Sequence, residues 1–469
     1  MEELNFAKIT QVYFLGIGGI GMSALARYFN AMGKKVSGYD KTPTKLTDEL
    51  IAEGIDIHFH DAIRLIPASI KQLPYAIENI LIVYTPAVPK DHSEYIYFKE
   101  NGFVLKKRAE VLGMITQNTN TVAVAGTHGK TTTSTLIAHI LKTANLDPSA
   151  FLGGISQNYS TNLLLSSNQS HNNLVVVEAD EYDRSFLTLH PEIGVITSVD
   201  ADHLDIYGDE KYMHESYSLF ARQVKSKLIL KTSIVDKIAG DRKPITYSIN
   251  DDSSDYFAQN IIIKDGVYQY DIVTPTNIFS QLTIGLPGMH NVENSIAAVA
   301  VACEMGVSEG KIREALKSFG GVKRRFDYQI KTTDLVYIDD YAHHPEELKA
   351  AINSVKEMYP GKKITGIFQP HLFTRTRDFA DDFARSLDLL DECILMEIYP
   401  ARELPIEGID SNLLLSKMKS LNKCIVQKDD LIEELGKRNL EVLLTLGAGD
   451  IDTFVDPIRI ALTKKLESK

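Results

Sequence analysis

Short, fully apolar runs separated by turn residues and amphipathic stretches recur along the whole of this chain, a pattern of buried parallel strands alternating with helices. The first run, residues 11–15, breaks at a glycine-rich turn over residues 16–21 and leads into a helical pattern over residues 22–32. Residues 35–40, 80–84 and 103–105 read as further strands of the same unit. A polar stretch at residues 117–120 precedes a second unit, which opens on the strand 121–125, a second glycine turn and a helix over about 132–143. Strands at 174–178, 194–198 and 227–230 follow. Over 245–284, Tyr, Ile and Thr alternate with polar residues, which predicts antiparallel strands attached to that unit. Beyond Phe319-Gly320-Gly321 a third unit carries strands at 335–339, 363–368, 392–396 and 442–446. The Asn- and Ser-rich residues 158–173 read as a surface loop.

The expected fold class is α/β in three domains. These are a Rossmann-like N-terminal domain over 1–118, a central P-loop ATPase-like α/β domain over 119–322 and a C-terminal Rossmann-like α/β domain over 323–469. Composition narrows the chemistry. A formal charge of -12 over 469 residues argues against a general nucleic-acid binder, which needs a basic face. Three widely separated cysteines (Cys303, Cys393 and Cys424) offer neither a disulfide framework nor a zinc cluster. The acidic start of the chain lacks a basic leader region, and the apolar stretch 12–22 is too short to cross a bilayer, which takes about 20 apolar residues. A soluble cytoplasmic protein is expected, with no membrane partner and no nucleic acid.

The second glycine turn, Gly126-Thr127-His128-Gly129-Lys130-Thr131-Thr132, is the strongest chemical signal. Backbone N–H groups of such a loop close around phosphate oxygens, and the helix that follows aims its positive end at them. Lys130 adds a point charge, and the Thr131 hydroxyl suits Mg²⁺. The strict phosphate-loop pattern has a glycine where Val124 stands, so this is a shortened form, G-x-x-G-K-T. The first turn, with Gly16, Gly18, Gly19, Ile20 and Gly21, fits G-x-G-x-x-G. Asp40 ends the next strand, where a ribose-contacting acid often sits. Two diphosphate loops in separate units point to two different nucleotides, one of them ATP.

Several polar clusters fall at the C-terminal ends of predicted strands, the ligand-binding edge of a parallel sheet. Glu178-Ala179-Asp180-Glu181-Tyr182-Asp183 suits a Mg²⁺ site, and Asp200-Ala201-Asp202-His203-Leu204-Asp205 would bring His203 to the same ion. His290 and Asn294 stand one helical turn apart and can face one ligand. Lys323-Arg324-Arg325-Phe326 offers guanidinium groups for nucleotide phosphates. Asp339-Asp340-Tyr341-Ala342-His343-His344 and Gln369-Pro370-His371-Leu372-Phe373-Thr374-Arg375 each follow a strand of the third unit.

Taken together and in this order, these motifs resemble the muramyl ligase family, on its alanine-adding branch, over nearly the whole chain. The resemblance implies a bacterial cell-wall enzyme that joins L-alanine to the lactyl carboxylate of UDP-N-acetylmuramate with ATP and Mg²⁺, through an acyl phosphate. It implies UDP-sugar binding at Gly18, Gly19, Ile20, Gly21 and Asp40, and nucleotide contacts from residues 126–132, His290, Asn294, Arg325 and Asp340. It implies metal ligands at Thr131, Glu178 and His203, catalytic roles for Lys130, Glu178, His203 and His344, and an amine side lined by Tyr341, His343, His371 and Arg375. A monomer or weak homo-oligomer is expected. Leu372 departs from the branch, which often has arginine there. Residues 216–221 lack the lysine that several sister ligases use near their metal, as the alanine-adding branch does. Three other readings compete: a sister ligase that adds a peptide to the same sugar nucleotide, a nicotinamide-dependent oxidoreductase resting on the first glycine loop alone, and a non-catalytic nucleotide switch.

Overall fold

The computed structural model describes residues 6, 8–72, 77–117, 119–167, 174–200, 209–264, 266–401 and 403–467. By compactness the chain divides into two units, Met1–Phe257 with Ile296–Ala315, and Ala258–Ser295 with Leu316–Lys469.

The first unit opens with a parallel sheet of β1 (Gln11–Leu15), β2 (Lys35–Tyr39), β3 (Asp56–His58), β4 (Ile80–Tyr84) and β5 (Val104–Lys107), in the order β3-β2-β1-β4-β5. Strand order reverses at β1, and the first glycine loop leaves from its C-terminal end, where a parallel sheet opens a crevice. Gly16 has φ 86, which a side chain disfavours, and the helix Ile20–Ala31 starts from Gly19.

The same unit then builds a second sheet from β6 (Asn120–Ala125), β7 (Ser149–Ser156), β8 (Thr161–Leu164), β9 (Leu174–Glu178), β10 (Ile193–Ile196), β11 (Lys227–Lys231) and β12 (Ile245–Ser248). Their order is β12-β11-β10-β6-β9-β7-β8, so β6 lies at another reversal point and the second glycine loop leaves there. The segment read as a surface loop contains β8, antiparallel to β7, with Leu163 and Leu164 buried. Its apolar residues won over its polar composition. The predicted antiparallel region is also corrected at its start. β12 pairs parallel with β11, and β13 (Tyr256–Lys264) begins parallel to β12 at Tyr247 and Tyr256.

In the second unit β14 (Val267–Val273) and β15 (Ile278–Ile284) do run antiparallel. The third sheet, β16 (Asp327–Lys331), β17 (Val336–Asp340), β18 (Ile364–Phe368), β19 (Glu392–Leu395), β20 (Lys423–Ile425) and β21 (Val442–Leu446), has the order β16-β17-β21-β18-β19-β20. All its pairings are parallel except β16 with β17. Wholly buried β17, β18 and β21 match their unbroken apolar runs. The loops after these three strands share one sheet edge. No helix among the described residues is long and apolar enough to cross a membrane.

Beside the first sheet, Glu94 is completely enclosed. It accepts from Tyr13 Oη at 2.7 Å and from the Ala62 amide at 3.3 Å. Burial pushes its carboxyl up from 4.5 to about 7, against the opposing effect of those hydrogen bonds. The fold thus favours the neutral acid. That contribution is complete below the unfolded value near 4.5 and is lost as pH rises through about 7. Glu94→Gln is therefore expected to melt above the parent protein at pH 8, by on the order of 1–3 kcal/mol, with the gap closing towards pH 4.5. Equal melting curves at pH 8 would contradict this.

Candidate active site

The second glycine loop spans four residues between β6 and the buried helix Lys130–Thr143. Two left-handed glycines make that possible. Gly126 has φ 132, and a β-carbon on it would run into Thr197. Gly129, with φ 80, is the N-cap of the helix. The loop is laced to the end of β10. Thr127 N–H donates to the Ser198 carbonyl at 3.1 Å, and His128 N–H donates to Ser198 Oγ at 2.8 Å. Thr197 Oγ1 donates to the His128 carbonyl at 2.5 Å, and the Asp200 amide donates to Thr127 Oγ1 at 3.0 Å. The first amides of the helix, Lys130 to Thr132, have no acceptor inside it, as at any helix start, an arrangement that suits an anion.

Lys130 folds back into this loop. Its ammonium donates to the Gly126 carbonyl at 2.6 Å and to Glu181 at 2.8 Å. Burial works against its charge, but Glu181, Glu178 and Asp180 outweigh that and hold the lysine above its ordinary value. The acidic run is therefore not one cluster. Glu181 faces Lys130, Asp180 faces Arg108 at 3.3 Å, and Asp183 faces Lys107 at 2.6 Å. Glu178 ends β9 against Gly153 of β7, where a β-carbon would collide with both carboxylate oxygens. A carboxylate and a threonine hydroxyl are the donor types that suit a hard, partly hydrated cation. Thr131 and Glu178 would hold Mg²⁺. The third expected ligand, His203, lies outside the described residues, among which no group of three or more His, Cys, Asp or Glu forms a metal cluster.

In the first glycine loop Asp40 turns inward. It accepts from the Gly18 amide at 2.7 Å and from Thr42 N–H at 3.1 Å, so it shapes the loop. Gly19 and Ile20 start the following helix, and Gly21 lies against the Arg108 guanidinium.

The second unit gathers a separate set. The helix Met289–Glu304 begins before His290, so His290 and Asn294 both lie on it, and Asn294 Nδ2 reaches Asn291 Oδ1 at 3.4 Å. Burial, then Arg325, pushes His290 down to about 4, with Glu347 opposing. Arg324 and Arg325 stack on the Tyr341 ring at 5.2 and 5.0 Å. Arg324 also pairs with Asp339 at 3.1 Å. Asp340 accepts the amides of Phe326 at 2.7 Å and Ala342 at 2.8 Å, so it fixes backbone, and burial raises its carboxyl to about 6.

His343 Nδ1 lies 3.1 Å from the Tyr341 carbonyl and 3.2 Å from Glu347. Both neighbours accept, so Nδ1 carries the proton and Nε2 presents a lone pair. The ring meets His371 edge-on at 5.9 Å, and His371 stacks on Tyr399 at 5.8 Å. His344 is buried at the N-terminus of the helix Pro345–Met358, its ring edge-on to Phe379 at 5.0 Å. Of the two neighbouring histidines, His343 is half-buried and His344 is buried. Arg375 is buried in the short helix Phe373–Asp378, which starts at Leu372.

Sequence reasoning missed Glu347, Gly153, Arg108, Tyr399 and the Thr197–Ser198 hydroxyls, and gave Glu181 a place in the acidic run but not its pairing with Lys130. Only Glu347 had a local signal: it lies three residues after the cap His344, with proline between them at the first helical position. The set makes a spectroscopic prediction. The His290 ring signals should titrate by NMR with a midpoint near 4, so this residue lowers stability as pH falls from 6.5 through 4. A midpoint at about 6.5, the free-histidine value, would mean the ring is solvated.

Comparison with known proteins accounts for this order of sites. Residues 11–119 match the model of the Mur ligase family catalytic domain, residues 124–302 the Mur ligase middle domain, and residues 324–449 the Mur ligase glutamate ligase domain. The chain is 52% identical over 465 residues to the UDP-N-acetylmuramate–L-alanine ligase of Flavobacterium johnsoniae, covering 99% of this chain and 100% of the relative. Its fold is similar to the solved UDP-N-acetylmuramate-alanine ligase of Thermotoga maritima, with a TM-score of 0.81 and 27% identity over 98% of this chain and 100% of that one. It is also similar in fold to a murein peptide ligase from Psychrobacter arcticus, with a TM-score of 0.73 and 24% identity over 97% and 98% of the two chains. With three α/β domain models matched in sequence along it and a curated relative alike from end to end, the chain belongs to the Mur ligase family.

Proposed function

We propose that this chain joins L-alanine to the lactyl carboxylate of UDP-N-acetylmuramate with cleavage of ATP to ADP and phosphate, a step of peptidoglycan precursor synthesis. The observation that carries the reading is the end-to-end likeness to the alanine-adding relatives. The short loop that encloses Lys130 supports it. A carboxylate oxygen attacks the γ-phosphorus of ATP, ADP leaves, and an acyl phosphate forms. The alanine nitrogen then attacks the acyl carbon, phosphate leaves, and the amine gives up a proton. Two anions must meet in the first step, and Lys130 with the helix amides 130–132 lowers their repulsion. Mg²⁺, when bound through Thr131, Glu178 and His203, adds further charge screening.

Of the second unit's residues, His290, Asn294, Arg325 and Asp340 serve the nucleotide, the last by fixing backbone. Tyr341, His343, His371 and Arg375 serve the amine. His343 Nε2 is the proton acceptor that its tautomer favours. Gly18, Gly19, Ile20 and Gly21 take the UDP-sugar, in a loop shaped by Asp40. Domain boundaries are placed near residues 118 and 322, and the nucleotide substrates put the chain in the cytoplasm.

Release of ADP and phosphate is expected only when UDP-N-acetylmuramate, L-alanine, ATP and Mg²⁺ are supplied together. Faster turnover with a tripeptide in place of L-alanine would assign the chain to peptide addition. The cation site has its own test. Gly153→Ala forces the Glu178 carboxylate aside, so half-saturating Mg²⁺ should rise about tenfold, while melting shifts by no more than a few degrees, roughly what a tolerated strand substitution costs. An unchanged Mg²⁺ requirement would remove Glu178 from the metal.

A further inference from the structure

The first glycine loop and the acidic turn that holds Lys130 touch the same arginine. Arg108 begins the helix Arg108–Thr116. Its guanidinium packs so closely on Gly21 that a β-carbon there would lie 2.7 Å from Nη1, while Nη2 pairs with Asp180 at 3.3 Å. Asp180 shapes the turn: its other oxygen accepts the Tyr182 amide at 3.1 Å, and its carbonyl accepts the Phe186 amide at 2.9 Å. Between those two amides stand Asp183 and Arg184, both left-handed, with φ 52 and 54. Two consecutive non-glycine residues in that region are strained. Lys107 holds Asp183 at 2.6 Å. The turn is thus a strained segment clamped by two neighbouring cations, with Glu181 inside it seated on Lys130.

Both ends of the clamp are rigid. Thr188 Oγ1 donates to the Ala109 carbonyl at 2.8 Å, and Gly113 packs directly on the Thr188 carbonyl. On the other side, fully buried Asn162 of β8 donates to the Ile20 carbonyl at 2.6 Å and to Ser23 Oγ at 2.9 Å, and accepts from Arg27 at 2.5 Å. The first glycine loop's helix is thereby fixed to the second sheet, and the Arg108 guanidinium lies between that helix and the Asp180 turn.

We propose that Arg108 is a positioning residue that couples occupancy of the first glycine loop to release of Lys130 from Glu181. This rests on the reading that the sugar nucleotide's diphosphate binds residues 16–21. A diphosphate arriving there draws the guanidinium off Asp180. The turn loses one of its two clamps and relaxes its left-handed residues, and Glu181 withdraws from Lys130, which is then open to a polyphosphate. Sugar nucleotide and ATP therefore bind with positive coupling, equal in both directions.

Calorimetric titration of the full chain with a Mg²⁺-bound, non-hydrolysable ATP analogue, with and without UDP-N-acetylmuramate, tests this. In the parent protein the sugar nucleotide should tighten analogue binding about fivefold or more. In Asp180→Asn the clamp is already open. The analogue should bind this variant alone nearly as tightly as it binds the parent with sugar nucleotide, and the ratio should fall close to one. Arg108→Gln should behave likewise and decides the matter if Asp180→Asn does not fold, whereas Arg108→Lys should keep most of the coupling. A merely structural role would lower stability or both affinities without moving the ratio. A parent ratio of one, or an Asp180→Asn variant with the parent ratio, overturns the proposal. A parent protein that ligates alanine while showing no coupling sinks only this inference and leaves the assigned reaction standing.

Discussion

An ammonium group enclosed by protein keeps its charge only where carboxylates or dipoles replace the water it has lost. Lys130 meets that condition with Glu181, Glu178 and Asp180, and this constraint organises much of the first unit. The lysine must stand at the head of a helix to reach phosphates, so β6 has to hand over to that helix within four residues, and two left-handed glycines allow it. The carboxylates must then arrive from the neighbouring strand at the same height. β9 supplies them because it pairs in parallel with β6, Val124 opposite Glu178. Four acids this close would repel one another if left together, and Asp180 and Asp183 are also paired elsewhere. They are separated by partners from the helix that begins at Arg108 and its N-cap Lys107. An arrangement that looks like a single acidic patch in the sequence is an alternation of paired charges in space.

That difference marks the limit of what the sequence discloses. Strands buried on both faces announce themselves as unbroken apolar runs, so β4, β9 and β21 were legible almost to the residue. The glycine turns were legible because a left-handed φ and a close backbone approach demand glycine. β8 was not, because its apolar core is only a few residues long and sits inside an Asn- and Ser-rich stretch. Nor was the direction of β12, since parallel or antiparallel pairing is settled by the crossover and not by the strand's own residues. Site residues divided in the same way. Lys130 and His343 lie in motifs whose chemistry is local. Gly153, Arg108 and Tyr399 act only through partners on other strands or helices, and nothing in their immediate neighbours reports that.

The second unit solves a different electrostatic problem. A nucleophilic amine has to be neutral when it attacks, so the groups around it should accept a proton without first repelling a cation or being neutralised by one. His343 has two acceptors on Nδ1, the Tyr341 carbonyl and Glu347, so its proton lies there and Nε2 points away from both. His290, close to Arg325, is driven further towards neutrality by burial and by that cation. Asp340 gives both oxygens to backbone amides beside the ring of Tyr341, on which two guanidinium groups stack. Both guanidinium groups are themselves paired, Arg324 with Asp339 at 3.1 Å and Arg325 with Glu347 at 3.7 Å, so each is held in place on that ring.

Leu372 fits the same logic through its backbone. It has φ 71 and is buried, an uncommon state for a branched apolar residue and a cost of roughly 1–2 kcal/mol. The surrounding structure enforces it. The Leu372 amide donates to the Tyr399 carbonyl at 3.0 Å, Tyr399 N–H returns a bond to the Pro370 carbonyl at 2.8 Å, and the helix Phe373–Asp378 starts immediately after. His371 sits between those two bonds, so its ring has little choice but to stack on Tyr399 and present its edge towards His343. Strain concentrated at one residue is thus converted into the orientation of its neighbour, a common use of left-handed backbone beside a binding site. A side chain at position 372 contributes apolar burial here instead of charge. In the reaction proposed above, the amino acid's carboxylate is assigned to Arg375, one turn further along the same short helix.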